Sequence, residues 1–183
     1  AVPLFVAAIF EFAFIIALVR NAIRDPLTGA FSRQGGSELL ALQFNQSVRS
    51  GTPLAVAFID LDEFKRINDD HGHEAGDRAL VAAVQQMTRQ LRTGDILARW
   101  GGEEFVIIMP NTAAAKAAVG LERTRAAGFG QRPEGGPLTA CIGIAERSAD
   151  KVDDWSMLVD LADARMYEAK QSGRNRIVTR PAA

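Results

Sequence analysis

The hydrophobic pattern of the chain alternates between continuous apolar runs of strand length and longer segments with helical spacing. Uninterrupted apolar runs are typical of strands buried on both faces. Residues 54–59 and 105–109 are runs of this kind, and the mostly apolar residues 96–100 and 138–144 also suit strands. Apolar positions recur at helical spacing in residues 37–48, 80–91, 112–127 and 152–171. Strands that alternate with helices in this way predict an α/β or α+β domain.

Two of the apolar runs flank a Gly-Gly pair that is followed at once by Glu103 and Glu104. A two-residue Gly-Gly connection suits the left-handed dihedral angles of a tight turn, so the pattern predicts a β-hairpin with both glutamates at its tip. Alternation along the second strand sends Glu103 to one face with Phe105 and Glu104 to the other. Buried carboxylates need a cation or hydrogen-bond donors, although a solvated turn at a sheet edge has the same pattern.

A second pair of carboxylates, Asp60 and Asp62, ends the apolar run at residues 54–59. Carboxylates at the end of a buried strand can meet those at the tip of an adjacent hairpin. Such an all-oxygen cluster suits Mg²⁺, which takes one or two carboxylates and leaves other positions to water and phosphate oxygens. The pattern therefore indicates phosphate chemistry on a nucleotide.

Composition narrows the classes of function. The 183 residues, 48% of them hydrophobic, suffice for one domain with a sizeable core. A net charge of -1 gives no electrostatic footprint for a nucleic-acid duplex, so nucleic acid is not an expected partner. The single cysteine, Cys141, lies in an apolar run and is expected to be a buried small side chain. His71 and His73 lack partners at zinc spacing, so a zinc site is not expected.

Residues 2–19 are almost wholly apolar and are interrupted by Glu11. Arg20 and Arg24 follow closely, and the positive-inside rule then places the rest of the chain in the cytoplasm. We therefore expect residues 1–24 to end a transmembrane helix that attaches a cytoplasmic domain, residues 25–180, to the inner membrane. A dimerisation helix or an export signal are the alternatives that the pattern leaves open.

Five ordered motifs of the chain resemble the GGDEF domains of diguanylate cyclases. They lie at residues 25–29, 58–69, 72–77, 101–105 and 162–175. The resemblance covers residues 25–178 and implies a mixed central sheet flanked by helices, akin to the palm of nucleotide cyclases and polymerases. Residues 30–36 depart from the family pattern, and the paired Gly35 and Gly36 are expected to weaken a helix there.

The resemblance implies condensation of two GTP into cyclic di-GMP with release of two pyrophosphates, in the output domain of a bacterial membrane sensor. It implies Mg²⁺, with Mn²⁺ as the alternative, at Asp60, the Leu61 carbonyl and Glu103. Either Glu103 or Glu104 would accept the proton of the 3′-hydroxyl, and Lys65 would stabilise developing charge. Because one domain holds one GTP, two domains are expected to face each other in a homodimer.

The resemblance also implies a set of substrate-binding residues around this centre. Asn68 and Asp77 would bind guanine. A carboxylate accepts hydrogen bonds from N1–H and the exocyclic amine, while an amide can both donate to and accept from the base. Asp77 as a plain helix N-cap is the alternative. Lys170 and Arg174 would hold the triphosphate, or else merely complement a helix dipole. The expected substrate-binding residues are Phe64, Asn68, His73, Asp77, Lys170 and Arg174.

An Arg-x-x-Asp motif, Arg92 to Asp95, lies shortly before Gly101. At this distance the motif resembles the family's inhibitory site for the dinucleotide product, for which Arg123 would supply a second arginine. Arginine forks suit phosphates, and Asp95 can pair with a guanine edge. A solvated surface ion pair is the alternative interpretation.

Two rival functions share parts of this pattern. The first is a catalytically silent receptor for GTP or cyclic di-GMP, against which the intact Glu103–Glu104 pair argues. The second is a palm-like polymerase or an adenylate cyclase. The acidic net charge argues against a polymerase, and the combination of Asn68 with Asp77 argues against adenine as the base.

Overall fold

The structure is a computed structural model, which describes residues 23–180 together with Ile9. The helices are α1 (Arg33–Ser50), α2 (Phe64–His71), α3 (His73–Gln90), α4 (Ala114–Ala127) and α5 (Trp155–Gln171). The strands are β1 (Leu54–Leu61), β2 (Ile96–Arg99), β3 (Glu104–Pro110), β4 (Ala140–Glu146) and β5 (Arg176–Val178).

The five strands form one mixed sheet in the order β2-β3-β1-β4-β5. β1 is central and buried along its whole length, as its uninterrupted apolar run predicts. It pairs antiparallel with both β3 and β4, while β4 and β5 run parallel. The predicted mixed sheet with flanking helices is therefore confirmed.

Alternation along the strands divides the core into two layers. Ile59, Phe105 and Ile107 face a layer that α2, α3 and α4 cover. Phe58 and Val106 face the opposite layer, which α1 and α5 cover. Each helix thus buries one apolar face against the sheet, and the ends of β1 and β3 are fixed between the two helical layers.

The start of α1 differs from the expectation. The helix begins at Arg33 and includes Gly35 and Gly36, although paired glycines normally weaken a helix. A Cβ atom at Gly36 would lie 2.5 Å from the Cβ atom of Ala98 in β2. The glycines are therefore compatible with the helix because they let α1 approach the sheet closely.

The hairpin turn also differs from the expectation. β2 ends at Arg99 and β3 begins at Glu104, so four residues connect the strands rather than two. Neither Gly101 nor Gly102 has a positive φ, and the predicted left-handed turn is wrong. The Glu104 carboxylate instead lies so close to Gly101 that a Cβ atom there would collide with it. Gly101 thus makes room for a side chain of the site.

Helix α3 begins at His73, directly after Gly72, which has a φ of 79°. Asp77 lies within the helix and is exposed. Asp77 is therefore not the N-cap of α3, and that alternative for its role is wrong.

The part of the chain from residue 23 to residue 180 contains no helix that is both long and apolar enough to cross a membrane. The expected transmembrane segment, residues 2–19, lies outside the described residues apart from Ile9.

We predict opposite stability effects for two helical glycines. Gly36→Ala should lower the free energy of unfolding by about 1–3 kcal/mol, because the new methyl group collides with Ala98. Gly120→Ala in α4 should raise it by about 0.5–1 kcal/mol, because nothing lies within 4 Å of a Cβ atom there and alanine favours a helix. Urea denaturation measures both, and a stabilising Gly36→Ala would contradict the close contact of α1 with β2.

Candidate active site

The centre of the site is an ion pair at the carboxyl end of β1. Asp60 is only 4% exposed, and its Oδ2 atom lies 2.7 Å from the Nζ atom of Lys170 in the last turn of α5. Burial raises the pKa of Asp60 despite the opposing effect of Lys170. Burial by itself would lower the pKa of Lys170, but the hydrogen bond and charge of Asp60 raise it overall. The lysine is therefore held protonated beside the acid.

Sheet pairing brings both hairpin glutamates to this ion pair. Glu104 is the register partner of Asp60, and the backbone N–H of Leu61 donates to the Glu103 carbonyl over 3.2 Å. Burial, followed by the negative charge of Asp60, raises the pKa of both Glu103 and Glu104. Asp163 on α5 adds further negative charge, and burial raises its pKa as well. The site therefore contains four carboxyl groups but only one ammonium group, that of Lys170. The four are Asp60, Glu103, Glu104 and Asp163.

The donor set of this site fits a divalent cation. Within residues 23–180 no group of three or more acidic, histidine or cysteine side chains forms a ready-made metal cluster. Mg²⁺, however, is typically bound by one or two carboxylates plus substrate phosphates and water. Asp60, the Leu61 carbonyl and Glu103 supply hard oxygen donors beside uncompensated negative charge. Burial, and after it neighbouring negative charge, raises the pKa of these carboxyl groups, and a bound cation would favour their ionised forms.

A second group of predicted residues meets where α2 packs against α3. A Cβ atom at Gly76 would collide with the side-chain oxygen of Asn68 and would lie 3.1 Å from the Cζ atom of Phe64. The Asn68 amide and the Phe64 ring therefore lie directly against α3, beside the exposed Asp77. His73 is exposed at the first residue of the same helix. The half-buried amide of Asn68 thus lies against Gly76, the residue directly before the exposed Asp77.

The Asp62 carboxylate is hydrogen-bonded to β4 and the final turn rather than to the hairpin, although its negative charge adds to the effect of burial in raising the pKa of Asp60. Asp62 is 3% exposed and accepts hydrogen bonds from Thr139 Oγ1 at 2.7 Å, Cys141 Sγ at 3.0 Å and the backbone N–H of Asn175 at 3.1 Å. Burial and then the hydrogen bond to Asp62 raise the pKa of the Cys141 thiol to about 12. Cys141 is buried as expected, and it donates to a carboxylate in addition.

Lys65 and Arg174 are exposed on two different elements. Lys65 is the second residue of α2, and Arg174 lies in the turn between α5 and β5. Both cations are therefore open to solvent near the elements that carry the ion pair, which are the end of β1 with Asp60 and the end of α5 with Lys170.

The three residues of the predicted product site line one cavity. Arg92, Asp95 and Arg123 border a volume of ≈ 330 Å³ between the end of α3 and α4. Asp95 accepts a hydrogen bond from the backbone N–H of Arg92 at 2.9 Å, which closes the Arg-x-x-Asp turn. An Arg92 Nη2–H donates to Thr112 Oγ1 over 3.3 Å. The arrangement presents two guanidinium groups and one carboxylate to the same space.

Two residues near the site were not identified from the sequence. Asp163 lies two helical turns before Lys170 on α5, and this seven-residue spacing is a signal that could have found it. Arg33 lies over the Trp100 ring at 5.4 Å from its centroid, and its charge partly offsets the raised pKa of Glu104. Its position depends on the early start of α1, which the N-cap Ser32 could have signalled, because the Ser32 hydroxyl accepts from the backbone N–H of Gly35 at 3.2 Å.

A comparison with protein families agrees with this geometry. The family described as "Diguanylate cyclase, GGDEF domain" matches residues 22–176. The chain belongs to the GGDEF family. The hairpin with Glu103 and Glu104 is the part of this GGDEF domain that carries the family's signature.

Named relatives and solved structures are similar to this GGDEF domain over most of its length. Diguanylate cyclase DgcP of Pseudomonas aeruginosa is 38% identical over 162 residues, which are 86% of this chain and 24% of DgcP. The chain thus spans about a quarter of that relative. The GGDEF domain of DgcB from Caulobacter crescentus, solved in complex with c-di-GMP, is 30% identical with a TM-score of 0.81 and covers 88% of this chain and 95% of that one.

A longer structure extends the similarity towards the N-terminus. The coiled coil and GGDEF domain of DgcB from Caulobacter crescentus, also in complex with c-di-GMP, has a TM-score of 0.87 at 28% identity. The match covers 98% of this chain and 97% of the DgcB chain.

We predict that Glu103→Gln stabilises the domain in a pH-dependent way. Where Glu103 is ionised in both the folded and the unfolded form, the folded form bears the cost of burying the charge and, after it, the repulsion of Asp60. The variant should then be more stable by roughly 0.5 kcal/mol, since solvent at the hairpin screens part of the effect. As the pH falls through the raised pKa, Glu103 becomes protonated in the folded wild-type chain and the difference should shrink. Melting curves from pH 7 to about pH 5 measure this, and a difference that grows on acidification would contradict the account.

Proposed function

We propose that this GGDEF domain condenses two GTP molecules into cyclic di-GMP and releases two pyrophosphates. The observation that carries the proposal is the crowding of Asp60, Glu103 and Glu104 around the single ammonium of Lys170. Such a site needs a further cation and gains stability from a metal-bound triphosphate. The similarity of this chain to DgcP, which is a diguanylate cyclase, supports the same reaction.

In the proposed mechanism Asp60, the Leu61 carbonyl and Glu103 hold Mg²⁺ or Mn²⁺. When bound, the ion lowers the pKa of the attacking 3′-hydroxyl and neutralises charge on the reacting phosphate. Glu103 or Glu104 accepts the proton of that hydroxyl, for which a raised carboxyl pKa is suited, because a stronger base is closer in pKa to the group it deprotonates. Burial and the negative charge of Asp60 raise the pKa of both glutamates, so either one is suited to accept the proton.

The substrate is bound at both of its ends. Asn68 and Asp77 bind the guanine edge, with Phe64 and His73 beside them, because the amide and carboxylate complement N1–H, O6 and the exocyclic amine. Lys170 and Arg174 bind the triphosphate, and Lys65 stabilises the charge that develops on it. Lys170 is positioned for this role by its contact with Asp60.

The active form is a homodimer in which each domain supplies one GTP. Residues 25–180 form the cyclase domain, and residues 1–24 end a helix that pairs two chains, either within the membrane as the last span of a sensor or as a dimerisation helix. The extended similarity to the coiled coil and GGDEF domain of DgcB supports the pairing role. The domain itself would then act in the cytoplasm, at the inner membrane.

The cavity of Arg92, Asp95 and Arg123 binds cyclic di-GMP as a feedback inhibitor. Two guanidinium groups can fork onto phosphates while the Asp95 carboxylate accepts from a guanine edge. The DgcB GGDEF domain, whose structure contains c-di-GMP, supports this ligand. Product bound there would favour an unproductive pairing of domains.

Chromatography of nucleotides after incubation with GTP and Mg²⁺ tests the proposed reaction. The full chain is compared with a form in which a dimerising coiled coil replaces residues 1–24. We expect cyclic di-GMP from at least the coiled-coil form. A folded dimer that binds GTP and makes no product would instead favour a silent receptor.

We predict that Glu104→Ala lowers turnover at least about 100-fold without unfolding the domain, because it removes a proton acceptor or a neighbour of one. Glu38→Ala, at an exposed glutamate on α1, is the matched control and should keep the wild-type turnover. Turnover is measured as cyclic di-GMP formed per minute, and folding by circular dichroism. Product formation by Glu104→Ala at the control rate would refute its role.

We predict that Arg92→Ala relieves product inhibition. The concentration of cyclic di-GMP that halves the rate should rise about tenfold or more, since one phosphate-binding fork is lost, while the uninhibited rate stays unchanged. Arg49→Ala is the control, because Arg49 is an exposed arginine near the end of α1 and does not line this cavity. Equal inhibition of both variants by the product would refute the proposed inhibitory site.

A further inference from the structure

The turn between α5 and β5 has an unusual backbone conformation. Gly173, Arg174 and Asn175 are consecutive and have φ values of 110°, 59° and 45°. Left-handed backbone costs an L-residue other than glycine about 1–2 kcal/mol, although asparagine tolerates it better. An arginine followed by an asparagine in this region therefore needs contacts that hold the turn in place.

One such contact comes from the interior of the domain. The backbone N–H of Asn175 donates to Asp62 Oδ2 over 3.1 Å. Thr139 and Cys141 donate to the same carboxylate and fix its orientation, and its burial excludes competing water. Asp62, which follows the end of β1, thus anchors the backbone of the turn through a charge-assisted hydrogen bond.

A second contact reaches the same residue from the helix α4. Arg125 Nη1–H donates to the Asn175 carbonyl at 3.1 Å and to its side-chain Oδ1 atom at 3.0 Å. Glu122, one turn earlier, accepts from the Nε and Nη2 groups of Arg125 at 2.7 Å and 2.6 Å. This two-bond pairing orients the guanidinium group, so that Arg125 is held in place before it binds the turn.

The turn connects two cations of the proposed site. Lys170, which pairs with Asp60, lies in the last turn of α5, and the backbone N–H of Arg174 donates to the Ala169 carbonyl at 3.0 Å. β5 begins at Arg176 and pairs with β4. A fixed Asn175 therefore determines the direction in which Arg174 leaves the helix end.

We propose that Asp62 and Arg125 are positioning residues that together clamp Asn175 and thereby aim the neighbouring Arg174 at the triphosphate of GTP. That the ligand is GTP rests on the proposed function. Neither Asp62 nor Arg125 touches the reacting atoms in this role. Their loss should weaken the binding of phosphates and leave the binding of guanine unchanged.

The first test uses Arg125→Ala, because Arg125 is partly exposed and its truncation leaves the buried core intact. Amide hydrogen exchange of residues 172–178 should become faster. The dissociation constant for GTP should rise about tenfold, as for one charge-assisted hydrogen bond, while that for guanosine, which has no phosphate, stays unchanged. Arg125→Lys keeps one donor and should lie between wild type and Arg125→Ala. Arg49→Ala, at an exposed arginine of α1, is the matched control and should change neither measurement.

The second test compares Asp62→Ala with Thr139→Val. Asp62→Ala removes the acceptor of Asn175 and should act like Arg125→Ala, whereas Thr139→Val removes another donor to the same carboxylate and should act more weakly. Unchanged exchange at residues 172–178 in Arg125→Ala would overturn the clamp. Faster exchange with an equal loss of GTP and guanosine affinity, or with no loss of either, would overturn its positioning role. A wild-type chain that fails to bind GTP would overturn the proposed function itself, and exchange would still report on the clamp.

Discussion

The burial of several carboxyl groups at the end of β1, with their mutual repulsion as a smaller cost, is the constraint on which the rest of the site depends. Asp60, Glu103 and Glu104 are brought together by antiparallel pairing of β1 with β3, and burial raises the pKa of each. The apolar core on both faces of β1 offsets this cost, because it fixes the strand ends regardless of their charge. Lys170 compensates one of the charges directly. The remaining carboxyl groups have no such direct ammonium partner, which is the basis for the proposed binding of a cation with the phosphates of the substrate.

Helices from both layers of the fold supply side chains to the site. α5 lies against β1 and β4 and supplies Lys170, while α2 and α3 supply the Asn68 and Asp77 pair from the opposite layer. The two groups therefore belong to different layers, joined through the end of β1. Substrate that binds both groups would connect the layers, which is consistent with a mechanism based on positioning and electrostatics.

The sequence predicts the parts of the fold that depend on local pattern. The uninterrupted apolar run of β1, the helical spacing of α5 and the acidic hairpin are visible in the chain because strand and helix periodicities are local. The left-handed Gly-Gly turn is not formed, since Gly101 is needed for the Glu104 side chain rather than for its φ. Likewise the early start of α1 depends on contact of Gly36 with Ala98, which are far apart in sequence. The separate environments of Asp60 and Asp62 depend on donors from β4 and the final turn. Such long-range contacts leave no mark in a single sequence.

The central claim is that a metal-bound nucleotide lowers the pKa values of Asp60, Glu103 and Glu104, which burial and neighbouring negative charge raise in the free site. Calorimetry with Mg²⁺ and a GTP analogue that lacks the 3′-hydroxyl tests it, at about pH 5.5 in two buffers with different enthalpies of ionisation. The account predicts that binding releases protons, because carboxyl groups with raised pKa values become ionised beside the cation. Binding of the analogue with no release of protons, or with proton uptake, would contradict it.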